Sequence, residues 1–332
     1  MASPIPIAVL GAGRIGKVHA GNIARHPGAR LAAVVDVQES AARSLAEQHG
    51  APVLTSEDVL ADAGIPAVFI CTATDTHAEL IERAAGAGKH IFCEKPIDLS
   101  LERVDACLEV VRETGAKLMV GFNRRFDPNV RALHAALQAG EIGKPELLQI
   151  TSRDPGPPPL EYLRVSGGLF KDMTIHDLDM ACFLLGEAPR TVSATAATLV
   201  DPDIARAGDV DTAVVTLSFP SGAIAVVTNS RRASYGYDQR LEVHGETGML
   251  QAENVRESTV VKSSAEGVTS QKPLHFFLER YQAAYRAELE AFLRVCRGEA
   301  EPAPSGAEGR LALHLAEAAE RARRTGCAQA VG

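Results

Sequence analysis

The stretch from Ile5 to Asp36 constrains the fold more than any other part of the chain. Residues 5–10 are a short apolar run, the pattern of a strand buried on both faces. It runs directly into Gly11-Ala12-Gly13-Arg14-Ile15-Gly16. A helical stretch from Lys17 to His26 follows, stopped by Pro27-Gly28, and a second apolar run, 29–37, carries Asp36, 20 residues beyond Gly16. Strand, glycine turn, helix and strand in this order make a parallel βαβ unit. Gly11 permits the tight turn, Gly13 lets backbone approach a pyrophosphate, and Gly16 lets helix and strand pack closely. The helix N-terminus then offers free N–H groups to the phosphates, with Ala12, Arg14 and Ile15 completing the loop. Asp36 is placed to accept hydrogen bonds from adenosine ribose hydroxyls. It would repel a 2′-phosphate, so NAD is favoured over NADP, with Arg14 and Arg43 the two cations that argue the other way.

The alternation continues. A helix spans 40–49, a short strand 52–54, and a helix opens at Ser56, read as its cap. A strand at 67–72 ends in Thr72-Ala73-Thr74-Asp75-Thr76-His77. Open α/β sheets bind ligands at such strand ends, so Thr72, Thr74 and His77 are cofactor candidates. A helix at 78–87 leads to the strand 90–93, which ends in Glu94-Lys95-Pro96. Lys95, restricted by the proline, could bond a substrate hydroxyl and the forming carbonyl oxygen. A helix at 101–114 and a strand at 117–121 bring the strand-like runs to six. The expectation is a doubly wound parallel sheet over residues 1–122.

Beyond Phe122-Asn123-Arg124-Arg125-Phe126-Asp127 the pattern changes. After a helix at 130–139, strands are expected at 146–153, 191–199, 213–219, 223–231, 240–243, 249–252 and 259–262. Pro220-Ser221-Gly222 and Gly245–Gly248 read as turns between neighbours. Residues 123–332 are therefore expected to form an α+β domain with a large, mainly antiparallel sheet. Several strands carry apolar residues on both alternate sets, which points to a second face covered by another subunit. Residues 154–159 form a proline-rich loop, and helices are expected at 276–297 and 307–324.

Gly167-Gly168-Leu169-Phe170-Lys171-Asp172-Met173-Thr174-Ile175-His176-Asp177-Leu178-Asp179 reads as a helix opening after two glycines. It would carry Asp172, His176 and Asp179 on one face and Ile175, Leu178, Cys182 and Leu185 on another. Two readings stand here. The acids and the histidine are a general acid/base on a rigid support, the carboxylate orienting the ring. Alternatively they are dipole-favoured acids in a first helical turn beside a surface histidine. Their types also permit a divalent metal.

Composition narrows the function. Net charge is −8 with a pI near 5.7, which argues against nucleic acid or an anionic membrane as partner. The six cysteines form no C-x-x-C and read as reduced thiols, with no metal framework. The N-terminus lacks a signal-peptide pattern, so a cytoplasmic protein is expected.

Gly11–Gly16, Cys93-Glu94-Lys95-Pro96, Gly121–Asp127, Gly167–Asp177 and Tyr235-Gly236-Tyr237-Asp238 together resemble the Gfo/Idh/MocA oxidoreductases over essentially the whole chain. Within them they look like the inositol 2-dehydrogenases. That resemblance implies NAD as cofactor and a catalytic set of Lys95, Asp172 and His176. His176 would act as general base, Asp172 would hold it, and Lys95 would position the hydroxyl. Glu94 joins the cofactor site, and Arg124, Asp154, Asp179 and Tyr235 would hold the remaining hydroxyls of a polyol. The implied reaction is oxidation of myo-inositol to 2-keto-myo-inositol (scyllo-inosose) without a metal, in a homotetramer formed through the large sheet. Arg153-Asp154-Pro155 departs from an Arg-Asn-Pro form found in some inositol dehydrogenases, which leaves the stereoisomer open. Scyllo-inositol or a pyranose is the neighbouring substrate choice. A dinucleotide-sensing regulator on the same fold is the non-enzymatic alternative, although it would have no need of a positioned base.

Overall fold

The computed structural model describes residues 3–331; Met1, Ala2 and Gly332, which close the two expected domains, lie outside the described residues. The chain divides into two compact units, each built from separated segments. One comprises the chain through Phe126 together with Ala284–Leu313. The other comprises Asp127–Ala283 and the chain from His314 onward.

In the first unit, strands β1 (Ile5–Leu10), β2 (Ala29–Val35), β3 (Ala67–Ile70), β4 (His90–Glu94) and β5 (Leu118–Gly121) form an all-parallel sheet in the order β2-β1-β3-β4-β5. Helices α1 (Arg14–Arg25), α2 (Glu39–His49), α3 (Ser56–Ala61), α4 (His77–Gly86) and α5 (Leu101–Thr114) lie between them in sequence. Every residue of β3 is buried, as a strand covered on both faces requires. The strand order reverses between β1 and β3. The residues that follow β1, β3, β4 and β5 all emerge at the carboxyl edge, where such sheets bind ligands.

Two local expectations are corrected. Residues 52–54 are not a sixth strand: Val53 makes one isolated bridge to Val34, since Pro52 has no N–H to give a ladder. The α3 cap is Thr55, not Ser56. Thr55 and Asp58 form a reciprocal capping box.

A later stretch of the chain also contributes to this unit's core. Phe292, on the Gln282–Cys296 helix, meets Phe69 edge-on at 5.1 Å and Phe92 at 5.9 Å, and those two rings stack at 4.3 Å. Aromatic burial on this scale ties a late helix to the early sheet.

The second unit carries a seven-stranded sheet. Its members are β6 (Pro145–Arg153), β7 (Thr191–Ala197), β8 (Thr212–Ser218), β9 (Ile224–Ser230), β10 (Asp238–Gly245), β11 (Gly248–Ala252) and β14 (Gln329–Ala330). The order is β11-β10-β6-β9-β8-β7-β14, antiparallel throughout except for the parallel β6–β9 pair. The run expected at 259–262 is not part of it. It contributes to a separate hairpin of β12 (Val261–Ser264) and β13 (Gly267–Ser270). The helix expected over 276–297 breaks at Tyr281 into Phe277–Arg280 and Gln282–Cys296.

Leu148, Ile150, Val215, Leu217, Ala225 and Val227 fill one face of the large sheet. The Ile175–Leu185 helix packs on that side, against β6 and β9. The alternate set keeps Val214 and Ile224 exposed, at 45% and 44%.

Candidate active site

The first unit supplies a dinucleotide cradle. Gly11 has φ 104°, and a Cβ there would stand 2.4 Å from the Cys71 carbonyl oxygen. A Cβ on Gly16 would lie 1.9 Å from the Gly11 oxygen, so both positions exclude a side chain. A Cβ on Gly13 would meet nothing within 4 Å. Space is open there, as close approach by a ligand would require. Gly13 also caps α1 without a side-chain bond, the kind of helix end that receives an anion. Asp36 follows β2 as expected. Its Oδ2 accepts from Ala12 N–H at 2.6 Å and its Oδ1 from Gln38 N–H at 2.8 Å, which ties Asp36 to the glycine loop. These residues fit a nicotinamide dinucleotide.

The ends of β3 and β4 are braced by side chains. Thr72 and Thr76 share a 2.6 Å hydroxyl bond, and the Thr76 hydroxyl donates to Ala73 O at 2.8 Å. Thr74 opens the short turn between them. His77 is buried, with its ring nitrogens 2.8 Å from Pro96 O and 3.1 Å from Thr72 O, so it spans the two strand ends. Burial pushes its pKa below the ordinary histidine value, against the pull of those carbonyls.

Glu94 does not stand alone. Its Oε1 lies 2.8 Å from His19 Nε2, on α1. His19 sits among Phe69, Phe92 and Tyr285, with ring centroids 5.0 to 5.6 Å away. Glu288, on the same helical face as Tyr285 and Phe292, is fully buried, and neither carboxyl oxygen has a hydrogen-bond partner among the described residues. Burial, reinforced by the nearby Glu94 charge, pushes its pKa well above the carboxylate range. Lys95 follows Glu94 at the end of β4, half-buried. Arg124 and Asn123 are buried just past β5, and Asn123 Nδ2 is a buried donor without a partner among the described residues. Sequence reading singled out neither His19, Asn123 nor Glu288. A buried carboxylic acid leaves no local signal when it sits on an amphipathic helix.

The second unit carries the helix of Asp172 and His176. Gly167 and Gly168 both have positive φ, 81° and 79°. A Cβ on Gly168 would fall 2.7 Å from Asp209 Oδ1, the atom that accepts from Leu169 N–H at 3.0 Å. The helix then opens with a π turn over Phe170–Thr174 before the regular Ile175–Leu185 helix, instead of as one α-helix. Wide turns of this kind recur at functional sites. It is pinned to β9 by Asn229, which accepts from the Thr174 hydroxyl and donates to Asp177 Oδ2, each at 2.7 Å. Asp177 is thereby a structural neighbour of His176. His176 is half-buried, and Asp179 is buried one turn further on.

Asp172 accepts a 2.8 Å bond from the Tyr162 hydroxyl and a 3.2 Å bond from Arg231 Nη2. Arg231 Nη1 lies 3.9 Å from Asp154, so the structure joins two of the expected residues, Asp172 and Asp154, through a third that was not expected. Tyr235 belongs to a different network. It accepts from Arg153 at 3.0 Å and donates to Asp238 at 2.6 Å. Burial, together with Asp238, raises the Tyr235 pKa. Burial also works to raise that of Asp238, but hydrogen bonds from Arg240, Tyr235 and Asn254 outweigh it and hold the carboxyl below its usual range. Among the described residues, no group of three or more His, Cys, Asp or Glu side chains is arranged to hold a metal ion.

A glycine cradle with an acid tied to its backbone, at the carboxyl edge of a parallel sheet, defines a dinucleotide-binding protein. The chain belongs to the GFO/IDH/MocA family: residues 5–122 match its NAD-binding Rossmann-fold oxidoreductase domain and residues 130–251 its C-terminal domain. It is an NAD-dependent enzyme of that family. It is 55% identical over 318 residues to the inositol 2-dehydrogenase of Rhizobium meliloti, covering 96% of each chain. It is 48% identical to the myo-inositol 2-dehydrogenase of Thermotoga maritima, covering 95% of each. The crystal structure of a myo-inositol dehydrogenase from Corynebacterium glutamicum superposes with a TM-score of 0.95 at 44% identity, covering 99% of each chain.

Proposed function

We propose that this enzyme oxidises myo-inositol to 2-keto-myo-inositol with NAD. The observation that carries the reading is full-length similarity at 55% and 48% identity to relatives named for that activity. The Asp172–His176 helix supplies the matching chemistry. When bound, NAD accepts hydride at nicotinamide C4. The ring carbon that gives up the hydride must also lose its hydroxyl proton, and His176 takes it. Asp172 orients the imidazole and stabilises its protonated form. Lys95 donates to the reacting oxygen and offsets charge as the carbonyl forms. The cradle residues Gly11–Gly16, Asp36, Thr72, Thr74, His77 and Glu94 serve the cofactor. Arg124, Asp154, Asp179 and Tyr235 serve the other ring hydroxyls, where unpaired polar groups would penalise a wrong epimer.

In this reading residues 1–122 bind NAD and residues 123–332 bind substrate, with 284–313 bracing the former. The enzyme works in the cytoplasm in inositol breakdown, as a homotetramer. The half-exposed Val214 and Ile224 on the outer face of the large sheet support such an interface. The six free cysteines fit a reducing compartment. Among the described residues, no helix is long and apolar enough to cross a membrane.

The test is NADH formation at mildly alkaline pH from myo-, scyllo- and chiro-inositol, glucose and xylose, with NAD or NADP. Turnover of myo-inositol with NAD, above every other pair, is expected. Preference for another polyol would move the substrate. NAD binding with no turnover on any member would favour a sensor.

A further inference from the structure

A carboxylate that holds a catalytic imidazole must itself be held, because it can otherwise rotate about its own bond. In the second unit Asp172 is gripped at both oxygens. The Tyr162 hydroxyl donates to Oδ1 at 2.8 Å, and Arg231 Nη2 donates to Oδ2 at 3.2 Å. Arg231 is only 1% exposed, and its Nε has no partner among the described residues. A guanidinium stays charged in proteins, and burying it is unfavourable unless carboxylates face it. Asp172 and, at 3.9 Å, Asp154 are those carboxylates.

The backbone of Arg231 is equally fixed. Its N–H donates to Asp211 O at 2.8 Å, and the Asp211 carboxylate accepts from the N–H groups of Leu199, Val200 and Asp201 at 2.8 to 3.1 Å. The grip on Asp172 thus starts from the loops at the end of the sheet. Tyr162 reaches in from the short Leu160–Leu163 helix behind the proline-rich segment that Asp154 opens. That segment is joined to the Asp172 network at both ends.

We propose that Arg231 and Tyr162 are positioning residues that act through Asp172, fixing the carboxylate that orients His176. The proposal rests on the reading of Asp172 and His176 given above, and a double-mutant cycle separates the two. Arg231→Met is expected to lower kcat roughly 100-fold, the scale of a displaced catalytic group, while leaving the NAD dissociation constant within about 2-fold. Arg231→Lys should restore part of that loss. Tyr162→Phe should lower kcat roughly 10–20-fold, the lower end of the range for one hydrogen bond to a charged group.

Asp172→Asn removes the group through which both act. In that background Arg231→Met and Tyr162→Phe should each change kcat by less than about 2-fold. A residue that only supports the fold would add its full loss there. Full additivity in the cycle, or normal kcat for folded Arg231→Met, would overturn the proposal. If Arg231→Met does not fold, the Tyr162→Phe cycle decides alone, since Tyr162 is 47% exposed and carries little of the core. Normal turnover by Asp172→Asn itself would instead overturn the assignment of Asp172.

Discussion

The two halves of the chemistry are built in different ways. The cofactor cradle in the first unit is mostly backbone: three glycines, a helix end and one acid bonded to the loop it serves. The proposed acid/base helix in the second unit is a side-chain assembly. Asp172 depends on Tyr162 and Arg231, 10 and 59 residues away, and the helix depends on Asn229. A backbone site is encoded where it stands, by residues that alone can adopt the conformation. A side-chain site is encoded wherever the chain happens to return.

That contrast sets the order of the expected effects. His176→Ala should remove roughly two to four orders of magnitude of kcat and leave NAD binding near normal, checked by steady-state kinetics and NAD titration. Comparable losses in both would mean the two halves are not separable. Gly16→Val should do the reverse. Its Cβ would overlap the Gly11 carbonyl, so NAD affinity falls by more than roughly 100-fold in protein that keeps the second unit's protease resistance. Unchanged affinity would show that the close helix–strand approach is dispensable.

Asp36→Ser should shift the NAD/NADP ratio of kcat/KM toward NADP by about 10-fold or more. A constant ratio would remove Asp36 from cofactor choice. The smallest effect concerns Glu288. With its pKa raised in the folded state, its contribution to stability is complete below the ordinary carboxylate value and fades as pH rises. Glu288→Gln removes that proton linkage. Its Tm should exceed that of the parent by a few degrees at about pH 8 and converge with it near about pH 4. A gap that does not change with pH would contradict a protonated Glu288.

The same contrast explains what sequence could show. The tight glycine turn and the place of Asp36 beside it were legible because spacing within one βαβ unit sets their geometry. The Asp172/His176 pattern was visible in the sequence, but not the π turn over Phe170–Thr174 that holds Asp172, since its wider backbone bonding leaves no mark in residue spacing. Arg231 stands beside Arg232 in a polar loop. Nothing nearby in sequence tells which is buried, and the distant Asp154 and Asp172 decide it. Residues 52–54 looked like a strand by apolar content, and a single missing N–H at Pro52 limits them to a bridge. The return of a late helix to the early sheet was not legible for a related reason: Phe292 lies far along the chain from Phe69 and Phe92, and only packing joins them.

The most direct test of the central claim follows the hydrogen. Myo-inositol deuterated at carbon 2 would be incubated with the enzyme and NAD, and the cofactor and product analysed by mass spectrometry. Direct hydride removal from that carbon predicts one deuterium in each NADH and none at carbon 2 of the ketone. NADH formed without deuterium would contradict it.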